Sequence, residues 1–343
     1  MNTNQSKESL REPKAFSSTS DADQLIWSFV NRVVFIDSEL LPFQIAPDIS
    51  LAKAGRGQTT YIKQHLAEML GCSQENISRH FEKHRVPDQR DEVFAESKKV
   101  PGVFVHMNQE DWRYYIVRTR GMSTKRRLQL ASNLSSFSID LSISAPHDFS
   151  WTSRSGPINE YYRAQEPWKD VRKISKYDLE DLASAYNDVS SITQVLDQEF
   201  PELIRAITML DNLTLLPANS DFQILGLFAI IEMLISHSPK QEDRGDSITH
   251  QLKSKIPLIC NRFSKPFDIS TFFLNAKSDK IWGALYSLRS TFAHGGLPDF
   301  NDMGKHKLLK DQGHAQEFLT ELVKRLVRQA IREPQLFRDL REC

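Results

Sequence analysis

The chain has 343 residues, enough for two domains that each bury a core. Forty-four Lys and Arg balance forty-four Asp and Glu, which excludes a global field for polyanions and leaves any such binding to local patches. Three scattered cysteines, Cys72, Cys260 and Cys343, match no metal-site spacing and point to a reducing compartment.

Residues 1–22 are polar, lack the apolar core of a signal peptide and read as a disordered lead. "LIWSFVNRVVFI", Leu25 to Ile36, is apolar enough for a buried first element, either helix or strand. "GRGQTT" then opens a helical stretch. Within it, "YIKQHLAEMLGCSQENISRHF" (61–81) resembles a helix-turn-helix. Ala67, Gly71 and Ile77 fall at the spacing of the small residue, the turn glycine and the buried aliphatic. Leu66, Leu70 and Cys72 fill other apolar positions. A second helix starting near Ser73 would present Gln74, Asn76, Ser78 and Arg79, either to DNA or as the outer face of a scaffold. His80 stands where a buried residue is expected, and Phe81 comes one place late.

From Val100 the pattern changes to short β-branched and aromatic pieces, "GVFVHM", "WRYYIVRT" and "FSIDLSI", which read as extended. Trp112 to Ile139 contains no acidic residue. Arg113, Arg118, Arg120, Lys125, Arg126 and Arg127 lie there, with Trp112, Tyr114 and Tyr115 interleaved. Two readings stay open: a basic aromatic surface on a strand pair turning at Gly121, suited to nucleic acid, or a solvated basic edge that discourages strand pairing. Residues 144–157 read as a Ser- and Pro-rich loop, and the mixed N-terminal region, 23–167, ends in linker.

Beyond Ile174 the pattern is almost wholly helical. Ser175 is a candidate N-cap, and Pro201 starts a further helix. Segments 222–237, 247–263, 280–294 and 314–333 follow, the last with an apolar stripe of Phe318, Leu322, Val323, Leu326, Ala330 and Ile331. Residues 334–343 are left as a tail. The fold class expected is α+β, predominantly α, with a helical bundle over 174–333. The apolar run Ile224 to Ile235 is too short to span a bilayer and contains Glu232, so a cytoplasmic protein without membrane contact is expected. The sequence contains no phosphate-cradling glycine loop and no Ser-centred elbow, and the histidines are too scattered for a metal site. No cofactor or metal is expected.

Packing accounts for most of "IWGALYSLRSTFAHGG", in which Ile281, Leu285, Leu288 and Phe292 form a core face. It does not account for Arg289 and His294. Gly295 and Gly296 place His294 at a helix C-terminus, where the helix dipole favours a cation. A guanidinium and an imidazole on one helix end suit phosphodiester chemistry, the first as an anion clamp and the second as a proton carrier.

"LYSLRSTFAHGG", preceded in order by "LGLFAIIEMLI" and "SITHQLKSKIPLI", resembles the Arg-x4–6-His signature of the HEPN (higher eukaryotes and prokaryotes nucleotide-binding) superfamily, Apea-like branch. The resemblance covers roughly 174–333 and is sharpest over 222–296. It implies a metal-independent endoribonuclease acting as a homodimer, often a toxin or antiviral effector, that leaves a cyclic phosphate and a 5′-hydroxyl. It would give His294 the proton, Arg289 the phosphate charge and Glu232 the orientation of Arg289, with Tyr286 and Ser290 in support. The partners it implies are RNA, a second copy and a triggering or neutralising protein, with DNA a further candidate for the N-terminal region. Ser290 stands where relatives often carry Asn, Asp or His, and Lys255 where they often carry arginine. Against this stand a non-catalytic nucleic-acid- or nucleotide-binding regulator that uses the helix-turn-helix, and an interaction module whose bundle only dimerises.

Overall fold

The computed structural model describes residues 25–87, 102–145, 171–217, 220–237, 247–301 and 303–342. Its N-terminal part centres on a five-stranded antiparallel sheet in the order β3-β4-β7-β1-β8. These strands are β1 Leu25–Val30, β3 Phe43–Ala46, β4 Ile49–Lys53, β7 Tyr115–Arg120 and β8 Leu141–Ala145. Two small pairings flank it. β2 (Val34–Ile36) runs parallel to β9 (Arg172–Ile174), and β5 (Lys83–Pro87) runs antiparallel to β6 (Gly102–His106). The apolar stretch 25–36 therefore forms two strands.

Both faces of the sheet are covered. Because side chains alternate along a strand, Tyr115 and Val117 enter the larger core while Tyr114 and Ile116 enter a smaller one. α1 (Arg56–Leu70) and α2 (Gln74–Phe81) cover the smaller-core face through Ile62, Leu66, Ala67, Ile77 and Phe81. Gly71, with φ 60°, ends α1 in the left-handed region and turns the chain into α2. The two helices thus pack on a sheet.

α3 (Met122–Leu134) lies on the opposite face, next to α4 (Lys176–Ser190) and, past the short α5 (Gln194–Glu199), α6 (Pro201–Leu213). Ser175 caps α4 reciprocally with Asp178: the Asp178 amide donates to Ser175 Oγ at 3.3 Å, and the Ser175 amide donates to Asp178 Oδ2 at 3.0 Å. The bundle continues with α7 (Asp221–Ile235), α8 (Ile248–Cys260), the short α9 (Ser270–Phe273), α10 (Ser278–Ala293) and α11 (Gln312–Arg332). Residues 334–342, expected as a tail, form a last helix, α12 (Pro334–Glu342), anchored by buried Phe337.

α7 is apolar around most of its circumference because it is packed on several sides, by α6, α8, α10, α11 and α12. One continuous core joins the sheet residues Val30, Leu51 and Val117 to the bundle residues Leu182, Phe228 and Phe318. The architecture is α+β and predominantly α. Among the described residues no helix is long and apolar enough to cross a membrane.

Candidate active site

α10 buries Ile281, Trp282, Leu285, Leu288 and Phe292, which fixes its rotation and sends the polar residues of its last two turns outward. Its end is closed by two bonds. The Gly295 amide donates to Phe292 O at 3.0 Å and the Gly296 amide to Thr291 O at 2.8 Å, with Gly295 left-handed at φ 69°. This double bond pattern satisfies the last carbonyls and leaves His294 as the C-cap residue, its side chain exposed.

Arg289 leaves α10 toward α7. Its Nη2 lies 3.5 Å from Glu232 Oε2, a loose ion pair, and its guanidinium sits 5.6 Å from the centre of the Tyr286 ring. The Tyr286 ring in turn meets Phe228 of α7 edge-on at 6.1 Å. Glu232 is 18% exposed against 33% for Arg289, and its Oε1 is buried without a hydrogen-bond partner. Burial pushes the Glu232 carboxyl above the usual glutamate range, and the Arg289 charge only partly offsets this. Burial and the Glu232 charge together raise the Tyr286 phenol, against the Arg289 charge.

Tyr286, Ser290 and His294 are spaced four apart, and together they line an open groove of about 570 Å³. Thr249 of α8 and Lys305, from the loop after α10, complete its wall. Arg289 is not part of that lining. Five residues of helix place it roughly 140° around the axis from His294. Two groupings therefore share Tyr286: Arg289 with Glu232, and His294 with Ser290 on the groove. Lys255 on α8 is buried, its Nζ 3.4 Å from Gln251 Oε1.

Sequence reasoning missed Thr249, Lys305 and buried His306. "GKHKLLK" was a visible basic run, but nothing in the sequence tied it to α10.

The basic N-terminal stretch is corrected in its geometry. Gly121 is no hairpin turn; at φ 72° it leads from β7 directly into α3. β7 lies third in the five-strand order, so it is no edge either. Tyr114 and Tyr115 are buried, on opposite faces. Arg113 is half-buried, its Nη1 3.4 Å from His80 O, and burial lowers its proton affinity. Arg118 and Arg120 are exposed on β7, Arg120 lying 3.6 Å from Asp48. Lys125, Arg126 and Arg127 lie instead on α3. Lys125 donates to Ser144 Oγ at 2.6 Å, and burial lowers its proton affinity. Arg126 lies 3.6 Å from Asp211, and Arg127 is exposed. The six cations thus do not form one surface on a strand pair. On α2, Gln74, Asn76 and Arg79 are exposed and Ser78 is buried.

No known protein family, curated protein or solved structure matches the chain. Among the described residues, no group of three or more His, Cys, Asp or Glu could hold a metal ion.

Proposed function

We propose that this protein is a metal-independent endoribonuclease of HEPN type, acting on RNA as a homodimer. The observation that carries the reading is Arg289 held beside Glu232 on the helix whose glycine-capped end exposes His294. The likeness of "LYSLRSTFAHGG" to the HEPN signature adds the reaction class and a role as toxin or antiviral-defence effector, with a triggering or neutralising protein.

In this reaction the RNA 2′-oxygen attacks the adjacent phosphorus. His294 takes the 2′-proton, the bond from phosphorus to the 5′-oxygen breaks, and the departing oxygen takes a proton from the matching histidine of a second copy. The products are a 2′,3′-cyclic phosphate and a 5′-hydroxyl. Arg289 carries the negative charge that grows on the phosphate, and its loose pairing to Glu232 leaves guanidinium donors available to it. Ser290 and Tyr286 border the same groove with hydroxyls able to donate to phosphate oxygens. The wide angle between Arg289 and His294 favours a dimer, because a second helix laid across the groove lets groups from both copies reach one phosphate.

The test is cleavage of labelled transfer RNA and mixed total RNA in the presence of chelator. Wild type is expected to cut and leave cyclic-phosphate ends, with loss of cutting in both His294→Ala and Arg289→Ala. Cleavage that survives both substitutions sinks the proposal.

A second reading has one observation in its favour. α2 presents Gln74, Asn76 and Arg79 to solvent beyond the Gly71 turn, which suits a DNA-reading helix of a regulator. It requires salt-dependent gel shifts of duplex DNA that Arg79→Ala weakens.

A further inference from the structure

The His294 groove opens into a larger one of about 830 Å³, and Gly283, Ser287 and Lys305 border both. α9 and α10 form one side of the second groove and the loop 304–310 the other. Among the described residues, its lining holds four exposed lysines, Lys280, Lys305, Lys307 and Lys310, and no carboxylate. Among the described residues, the acids near the groove have partners of their own. Asp311 accepts from the His314 amide at 2.7 Å to cap α11, Asp299 accepts from the Asn301 amide at 3.0 Å, and Asp279 lies 3.9 Å from Lys253. The floor is apolar, built from Phe272, Phe273 and Leu274, the last 77% exposed. In a chain of zero net charge, four lysines on one groove wall are a local concentration of cations.

The backbone singles out the same place. Among the described non-glycine residues, positive φ occurs at Leu274 (51°) and Lys310 (60°), and both line this groove. Such conformations are unfavourable for L residues and persist only where the surroundings enforce them. The enforcing structure includes His306, buried behind the loop. Its Nδ1 accepts the Asp299 amide at 3.1 Å, which puts the ring proton on Nε2, 3.2 Å from Ser287 Oγ of α10. A loop pinned in this way fixes the backbone from which its lysines project.

We infer that this groove is the track along which a single-stranded RNA segment reaches His294. Lys280, Lys305 and Lys310 hold phosphates of the strand, and Leu274 and Phe272 lie under unpaired bases. A cationic rim over an apolar floor favours an unpaired strand, since a duplex turns its base faces inward. The identity of the strand as substrate rests on the ribonuclease reading.

The test uses the full chain carrying His294→Ala, so that RNA is not consumed, and follows the anisotropy of a fluorescein-labelled 12-nucleotide unstructured RNA. Added Lys280→Glu, Lys305→Glu and Lys310→Glu change only exposed side chains, and circular dichroism checks that the fold persists. The triple variant is expected to bind at least about tenfold more weakly near 0.1 M salt. Its plot of log affinity against log salt should be shallower by about 2, from three lost phosphate contacts at roughly 0.7 each. A control with Arg118→Glu and Arg120→Glu on the distant sheet should bind like the parent.

Equal affinity of the triple variant and its parent overturns the track, and so does a parent that prefers a duplex of the same length. The two proposals fail separately. RNA held through these lysines but never cut by wild type keeps the track and removes the ribonuclease. RNA cut with KM unmoved by the triple substitution does the reverse.

Discussion

Two arginine–carboxylate arrangements in the same helical bundle are built to opposite specifications. Between α11 and α4, Arg328 Nη1 lies 2.6 Å from Asp181 and its Nε 2.8 Å from Asp188, while Nη2 donates to Ser184 Oγ at 2.8 Å. Arg332 adds a forked pair to Asp188, both arms at 2.8 Å. Asp181 also accepts the Ser136 amide. Burial alone would raise the Asp181 carboxyl, but the Arg328 hydrogen bond and charge outweigh it and hold the group below the ordinary aspartate range. Between α10 and α7, by contrast, Arg289 and Glu232 meet only at 3.5 Å, Glu232 Oε1 has no partner, and the carboxyl is raised. The first arrangement is saturated and the second has spare capacity. Spare guanidinium donors are what the proposed phosphate contact of Arg289 calls for.

The sharpest way to break this contrast is to remove each arginine in turn. Arg289→Ala should lower RNA cleavage by roughly a thousandfold, about 4 kcal/mol of transition-state stabilisation, while melting within a few degrees of wild type. Arg328→Ala should do the opposite. It leaves Asp181 and Asp188 without their shared cation and should cost about 3 kcal/mol of stability in urea unfolding, with kcat of the surviving folded fraction near wild type. If Arg289→Ala instead costs stability on the scale of Arg328→Ala while its folded fraction cleaves like wild type, the roles assigned to the two arrangements are wrong.

The two differ in how far the sequence revealed them. Arg289 and His294 stood out because they fall off a regular apolar face just before two glycines, a local pattern within about fifteen residues. The bundle helices were legible for the same reason: apolar period, Ser175 as cap and Pro201 at a helix start are local signals. The Arg328–Asp181 network joins residues 147 apart, and no local pattern encodes that pairing. Around β7 the strand formed as expected, and the hairpin and single basic surface did not, for a third reason. "YYIV" is continuous because the sheet is covered on both faces, so its aromatics belong to two cores and not to one wet surface. With both neighbours of Gly121 reading as extended or basic, a strand passing into a helix looked like a hairpin. The 305–310 lysines were visible as charge, but only the folded loop carries them to α10.

The comparison also predicts opposite responses to acid. Asp181 has a depressed folded pKa, so its stabilisation is complete above its unfolded value and fades as pH falls below about 4. Glu232 has a raised folded pKa, so its contribution is complete below its unfolded value and is lost as pH climbs past the ordinary glutamate range. Between about pH 3 and pH 6, Asp181→Asn should therefore flatten the rise of melting temperature with pH. Glu232→Gln should steepen it. Identical curves for the two variants would mean that the two carboxylates sit in equivalent environments.

The smallest effect is the most diagnostic. Glu232→Gln keeps the shape of the side chain and removes a partly buried charge that its partner compensates only in part. Arg289, a third exposed, can still be hydrated after the change. Stability at neutral pH should hold or rise by up to about 1 kcal/mol, where loss of a structural salt bridge would lower it. Cleavage should fall by roughly tenfold with KM little changed, because Arg289 loses the anion that aims it and the strand is held elsewhere. A gain in stability joined to a loss of kcat would mark Glu232 as a positioning residue whose ionisation the fold tolerates at a cost. A loss of stability with unchanged kcat would place it with Asp181 and Asp188, as one more strut of the bundle.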